Sequence, residues 1–241
     1  MPKKPNRIIV ILSAVLLFLI ARYFVIHTDV IFVISNQISK KNETQAKPYR
    51  VVIDAGHGGR DSGKVGVNGA IEKDINLEIA KKLKVFLEAQ DVEVIMTRDT
   101  DRGLYSENAS NKKVEDMKKR LVIIESAAAD IAVSIHQNSF PQESVRGAQV
   151  FYYKSSKEGK KLSEILQARL IAGVDSANKR LAKGNDSYFL LTKTSIPLAI
   201  IECGFLSNET EAENLSDDYY QEKLAWAIHI GIMQYLNQRY T

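Results

Sequence analysis

Tyr49-Arg50-Val51-Val52-Ile53-Asp54-Ala55-Gly56-His57-Gly58-Gly59 passes from a short apolar run into a glycine-dense loop. Tyr49 to Asp54 reads as a strand, and the loop goes on through Gly63, Gly66 and Gly69. Ile75, Ile79, Leu83, Phe86 and Leu87 then follow helical spacing, and Val92 to Thr97 reads as a second strand. After a polar, flexible stretch from Arg98 to Lys113, a helix is predicted from about Val114 to Ala128, with a buried-type strand from Ile131 to Ile135 ending at His136. Gln149–Tyr153 is a further strand, Leu162 to Ile171 an amphipathic helix, and Leu198 to Ile201 a brief strand ending at Glu202. The last helix runs from about Tyr219 to Leu236. Strands alternating with helices predict an α/β domain with a largely parallel sheet.

The polypeptide N-terminal to Tyr49 has a different character. Lys3, Lys4 and Arg7 precede an apolar run from Ile8 to Ile20, which resumes from Tyr23 to Ile26 after Arg22. An apolar span of ~20 residues crosses a bilayer, and no small-x-small cleavage site closes this one convincingly. Residues 1–34 are therefore expected to be an uncleaved signal anchor, with the N-terminus cytoplasmic and the rest extracytoplasmic. A cleaved signal peptide would leave a secreted protein. Residues 35–48 turn polar and lysine-rich and read as a linker. The folded domain is expected over residues 49–241.

The net charge of +4 arises from 33 basic and 29 acidic residues, and several of the basic ones lie before residue 49. That distribution gives no nucleic-acid footprint, but it is compatible with an anionic polymer or a membrane surface. Cys203 is the single cysteine, so the fold has no intrachain disulfide.

In an open parallel sheet, ligands gather outside the carboxyl ends of the strands. His57, His136 and Glu202 each follow or end a predicted strand, and Glu72 starts the helix that returns from the His57 loop. Two imidazoles and one carboxylate suit a zinc ion with a position left open for water; manganese or iron would also accept such donors. Glu202 is then free to act as a proton-transfer group. Taken singly, these residues have blander readings. A histidine at a strand end is usually a hydrogen-bonded structural residue, and a glutamate in a first helical turn is expected from the helix dipole. Glu202 stands out because it interrupts an apolar strand, where an unpaired carboxylate is costly to bury. His27 and His229 read as structural, and strand alternation turns Cys203 to the face opposite Glu202. The glycine loop lacks both the P-loop and the dinucleotide patterns.

The segment Val51 to Gly59 resembles the opening motif of the zinc-dependent N-acetylmuramoyl-L-alanine amidases, the Amidase_3 family of the AmiC/CwlD type. Ile71-Glu72-Lys73-Asp74-Ile75-Asn76-Leu77 resembles the second motif, Ser134-Ile135-His136-Gln137-Asn138 the third, and Ile201-Glu202-Cys203-Gly204-Phe205-Leu206-Ser207-Asn208 the fourth. All four stand in the family's order, and the resemblance covers Tyr49 to about Leu236. It implies a mixed, mostly parallel sheet flanked by helices and one zinc held by His57, Glu72 and His136, with Glu202 as catalytic base. Asn138 would contact substrate. It also implies the bond cut, the amide between N-acetylmuramic acid and the L-alanine of the peptidoglycan stem. Gln137 departs from the more usual alanine. With no appended wall-binding domain, the chain looks most like the germination-specific amidases of spore formers, which help form muramic-δ-lactam in the cortex. The interval from Arg98 to Lys113 reads as a substrate-facing loop rather than an autoinhibitory helix, so restraint would come from location, timing or an activating protein partner. The competing readings are a zinc peptidase acting on stem peptides and a non-catalytic wall-binding or sporulation scaffold. The presence of Glu202 beside all three ligands favours the enzyme.

Overall fold

The computed structural model describes Leu16 and residues 48–239. Apart from Leu16, the expected anchor, with His27 in it, and the linker up to Lys47 lie outside the described residues. Among the described residues, no helix is long and apolar enough to cross a membrane.

Within the compact unit that begins at Pro48, the chain forms β1 (Arg50–Ala55), α1 (Glu72–Glu88), β2 (Glu93–Met96), α2 (Lys112–Ser126), β3 (Ile131–Asn138) and β4 (Gln149–Tyr153). It continues through α3 (Lys157–Gly173), β5 (Lys183–Asn185), α4 (Phe189–Lys193), β6 (Leu198–Phe205), α5 (Glu209–Ser216) and α6 (Asp218–Arg239). The strands make one sheet in the order β2-β1-β3-β6-β4-β5. β2, β1, β3 and β6 are mutually parallel; β4 runs antiparallel to β6 and carries β5 parallel to itself. The sheet is thus mixed and flanked by helices, with four parallel strands running from the β2 edge to β6.

Central strands of such a sheet are covered on both faces and become continuously apolar. In β1, Val51, Ile53 and Ala55 join a cluster with Leu83 and Leu87 of α1, Leu166 of α3 and Ile228 and Ile232 of α6. Val52 faces the other way, into a cluster with Ile124, Phe151, Leu190 and Ile200. Local signals set several helix starts. Asn111 accepts from Val114 N at 3.0 Å, Ser156 from Gly159 N at 2.9 Å and Asn208 from Glu211 N at 3.0 Å.

The chain leaves β1 for β2 on one side and returns to β3 on the other, so the order in which strands are added reverses between the parallel β1 and β3. A crevice opens at the carboxyl ends of strands at such a point. β3 and β6 each run past their expected ends at His136 and Glu202, which are Cα partners in the ladder; the register then shifts, and Asn138 pairs with Phe205. The extension follows from partners that polarity alone does not reveal. Gln137 is buried, with its amide N–H 3.2 Å from Glu72 Oε1 and its side-chain Nε2 3.2 Å from Asn76 Oδ1.

The interval from Arg98 to Lys113 contains no helix before Lys112, but the reading of it as a flexible polar stretch needs correction at its start. Arg98 is among the most buried side chains of the protein. Farther along, Asp101 accepts from Gly59 N at 2.8 Å and Tyr105 accepts through its hydroxyl from Arg60 N at 2.8 Å, which ties the segment to the glycine loop.

Candidate active site

Asp54, the last charged residue before the loop, is 1% exposed. It accepts from Thr97 Oγ1 at 2.7 Å, Ser134 Oγ at 2.6 Å and Arg120 Nη1 at 2.6 Å. Burial pushes its carboxyl upward, but Arg120 and the two hydroxyls outweigh that and bring it down to about 2. Arg120 spends its remaining donors on Ala55 O (2.7 Å), His57 O (2.5 Å) and Asp116 Oδ2 (2.5 Å). Arg98 adds Ala55 O (2.8 Å), Gly56 O (2.9 Å) and Lys73 O (2.7 Å). Two buried guanidiniums thus hold the carbonyls of three successive residues. That grip sustains His57 at φ 60, a left-handed conformation uncommon outside glycine.

So held, His57 directs Nε2 to 3.1 Å from Glu72 Oε1, while Nδ1 lies 2.9 Å from Asp61 Oδ2. His136 Nδ1 is also 3.1 Å from Glu72 Oε1. Glu72 is 2% exposed, and its other oxygen accepts from Lys64 N at 2.8 Å. One donor atom from each of His57, Glu72 and His136 lies within 4.8 Å of the others. Burial works against a charged Glu72, yet hydrogen bonds from His136 and His57 outweigh it and hold its carboxyl well below the usual range. Burial likewise works against protonation of His57, but Asp61 and Glu72 raise it to about 9. Groups that share protons this tightly are those a cation replaces, because a metal satisfies the same lone pairs without a proton. The two ring nitrogens and the carboxylate oxygen fit zinc in donor chemistry. Two glycines let the backbone approach these side chains closely: a Cβ on Gly63 (φ +67) would lie 2.5 Å from Glu72 Oε2, and one on Gly56 2.3 Å from the His136 ring.

A carboxylate beside the non-ligating nitrogen of a histidine fixes its tautomer and raises its basicity. Asp61→Asn is therefore expected to weaken divalent metal binding by about 10–100-fold. Competition against a chelating dye measures it, and an unchanged affinity would remove Asp61 from this role.

Glu202 projects toward the same centre from β6. It is 8% exposed, and among the described residues its Oε2 is buried with no hydrogen-bond partner. Burial raises its pKa, Glu72 adds to the rise, and the two histidines oppose it. His57, His136 and Glu202 line a cleft of about 180 Å3 together with Met117, Tyr188 and Leu190. Tyr188 is half-buried there, its phenol pushed up by burial and by the charges of Glu202 and Glu72.

The fold therefore brings together His57, Glu72, His136 and Glu202. Asn138 stands at the end of β3, with Oδ1 accepting from Ser139 N at 2.8 Å, and is not among the cleft-lining residues. Cys203 is buried in the cluster on the far face, and burial pushes its thiol up. His229 is buried in α6 beside Phe86 and Trp226. Sequence reasoning overlooked Asp54, Asp61, Arg98 and Arg120. Asp54 carried a usable signal, since a carboxylate interrupting an apolar strand is the same anomaly that singled out Glu202. Arg120 carried none, being one basic residue in a helix rich in them.

Residues 51–234 match a family model described as N-acetylmuramoyl-L-alanine amidase. The chain is 36% identical over 192 residues to the germination-specific N-acetylmuramoyl-L-alanine amidase of Bacillus subtilis, which spans 78% of this chain and 80% of that one. It is similar to the CwlD amidase from Clostridioides difficile, solved in complex with the GerS lipoprotein, at 44% identity and a TM-score of 0.77, covering 78% of this chain and 98% of that one. It is also similar to the N-acetylmuramoyl-L-alanine amidase AmiC2 of Nostoc punctiforme, at 33% identity and a TM-score of 0.69, with 78% and 97% covered.

Proposed function

The chain belongs to the N-acetylmuramoyl-L-alanine amidase family, and we propose that it cleaves the amide between N-acetylmuramic acid and L-alanine in peptidoglycan with one zinc ion held by His57, Glu72 and His136. The observation that carries this reading is the unpartnered, buried Glu202 oxygen facing the same cleft as three convergent donor groups. Zinc, when bound, supplies a Lewis acid and makes water acidic enough to attack near neutral pH.

The protein's own residues supply the rest. Glu202 takes the proton of the attacking water and delivers it to the departing amine nitrogen; its raised pKa brings it closer to the operating pH, where such transfer is most effective. Asp61 orients His57, while Arg98 and Arg120 keep the loop from relaxing out of its left-handed turn. Tyr188, Met117 and Leu190 form a wall that limits water access to the reacting bond.

The likeness to the germination-specific enzyme supports a role in the spore cortex, where amide removal precedes muramic-δ-lactam formation. The basic flank and apolar run before Tyr49 support an extracytoplasmic domain tethered to the membrane, on the side where peptidoglycan lies. An accessory protein fits the same picture, since the relative from Clostridioides difficile was solved with a lipoprotein.

The test is a digest of purified vegetative and cortex peptidoglycan by the zinc-loaded protein. The expected products are intact stem peptides with a new L-alanine amino terminus, released faster from the cortex substrate. Release of D-alanine alone would identify a carboxypeptidase instead.

A further inference from the structure

Gln149 and Glu202 are Cα partners in the antiparallel ladder between β4 and β6. Directly opposed residues project to the same face, so Gln149 lies beside Glu202, one strand outward. Gln149 does not end the line. Its Oε1 accepts from Arg180 Nη1 at 3.2 Å and its Nε2 donates to Leu181 O at 3.0 Å. Arg180 also donates to Arg146 O at 2.8 Å and lies 4.8 Å over the Phe205 ring, at the carboxyl end of β6.

Arg146, Lys179 and Arg180 line a groove of about 340 Å3, in which Asp175 is the one acidic residue. Lys183 follows on β5, in register with Phe151, two residues along from Gln149. Among the described residues, none of these four cations forms an ion pair with a carboxylate. The buried Glu211 also faces Arg180, but it is occupied by the backbone N–H groups of Gly147 (2.9 Å) and Phe205 (2.8 Å). The groove is rigidly built. Gly147 sits at φ +96, and Asn178 clamps the two sides, donating to Ala148 O at 2.8 Å and accepting from Arg180 N at 2.9 Å.

We propose that Arg146, Lys179 and Arg180, with Lys183 beyond them, form a carboxylate-binding subsite for the peptide side of the substrate, which runs from the scissile amide across Gln149. This rests on the amidase reading above. Two strand spacings separate Glu202 from the groove, roughly 10 Å, a distance spanned by about three extended residues. The subsite therefore selects peptides with a free carboxylate about three residues from the scissile amide. It places the leaving peptide along β4 and the sugar strand on the opposite side of the cleft.

The test uses the full chain and a tripeptide beginning with L-alanine, in two forms: free carboxylates on residues two and three, or carboxamides there. Calorimetric titration is expected to show at least about tenfold tighter binding of the acid form, the worth of one charge-assisted hydrogen bond. An Arg146→Gln, Lys179→Gln double variant, which leaves the clamping Arg180 in place, should lose that preference. On a soluble muropeptide with free carboxylates, the same variant should show raised KM and unchanged kcat. Equal binding of the two peptides by the wild type, or a preference retained by the double variant, would overturn the subsite. Binding does not require turnover, so the two ideas separate. A preference without hydrolysis would retain the subsite and sink the reading of the chain as an amidase that acts unaided, and hydrolysis without a preference would overturn the subsite alone.

Discussion

Glu202→Gln is expected to slow amide cleavage by about 10²–10⁴-fold while leaving zinc binding intact. Glutamine keeps the shape of the side chain and its place on β6 but cannot accept the proton of the attacking water. His57, Glu72 and His136 hold one another without help from Glu202, whose Oε2 has no partner among the described residues. The same orphaned oxygen makes a second outcome predictable. Burying a carboxylate without a partner costs free energy, so the neutral variant should unfold at the same temperature as the wild type or higher. Turnover of a muropeptide, bound zinc and a thermal melt, measured on one preparation, check all three. Activity within about fivefold of the wild type would remove Glu202 from the proton path.

Arg120→Met is expected to destabilise the protein by about 3–5 kcal/mol, because it leaves the Asp54 carboxylate buried without its countercharge. The lost contacts also release Ala55 O and His57 O, so metal affinity should fall along with stability. The effect has a pH signature. In the wild type, the Asp54 carboxyl is depressed to about 2 from 3.8, so its stabilising contribution is present above pH 3.8 and is lost as the pH falls toward 2. In the variant, burial dominates and the carboxyl is raised, so acid relieves the unpaired charge. The gap between the two proteins in urea denaturation should therefore narrow from pH 7 to pH 4. Asp54→Asn added to Arg120→Met should recover part of the loss. A gap below about 1 kcal/mol, or one that does not change with pH, would show that the pair is not what holds this loop.

These two substitutions differ in how far the sequence foretold them. Glu202 was legible because an apolar strand with one carboxylate in it is anomalous without any knowledge of neighbours. His57 and His136 were legible for a related reason, since parallel strands direct their carboxyl ends to one edge, and that ordering follows from strand and helix alternation along the chain. The strand and helix periodicities are local, and they fixed the order of the elements and the edge where the site would form. The short β5 and α4 were not foreseen; three- and five-residue elements hold too few residues for a period to show.

What only the tertiary structure decided depends on contacts between residues far apart in the chain. Arg120 and Asp54 are 66 positions apart, and nothing in the helix of Arg120 distinguishes it from the other basic residues around it. The reversal of β4 against β6, which puts Gln149 beside Glu202 and carries Arg180 to the same edge, depends on how the sheet closes its core rather than on any local propensity. Sequence by itself picked out the candidate residues and the edge on which they meet, because residue type and period are local properties. The tertiary structure decided what holds them at 3.1 Å and what lies alongside them, because buried charges choose their partners in space.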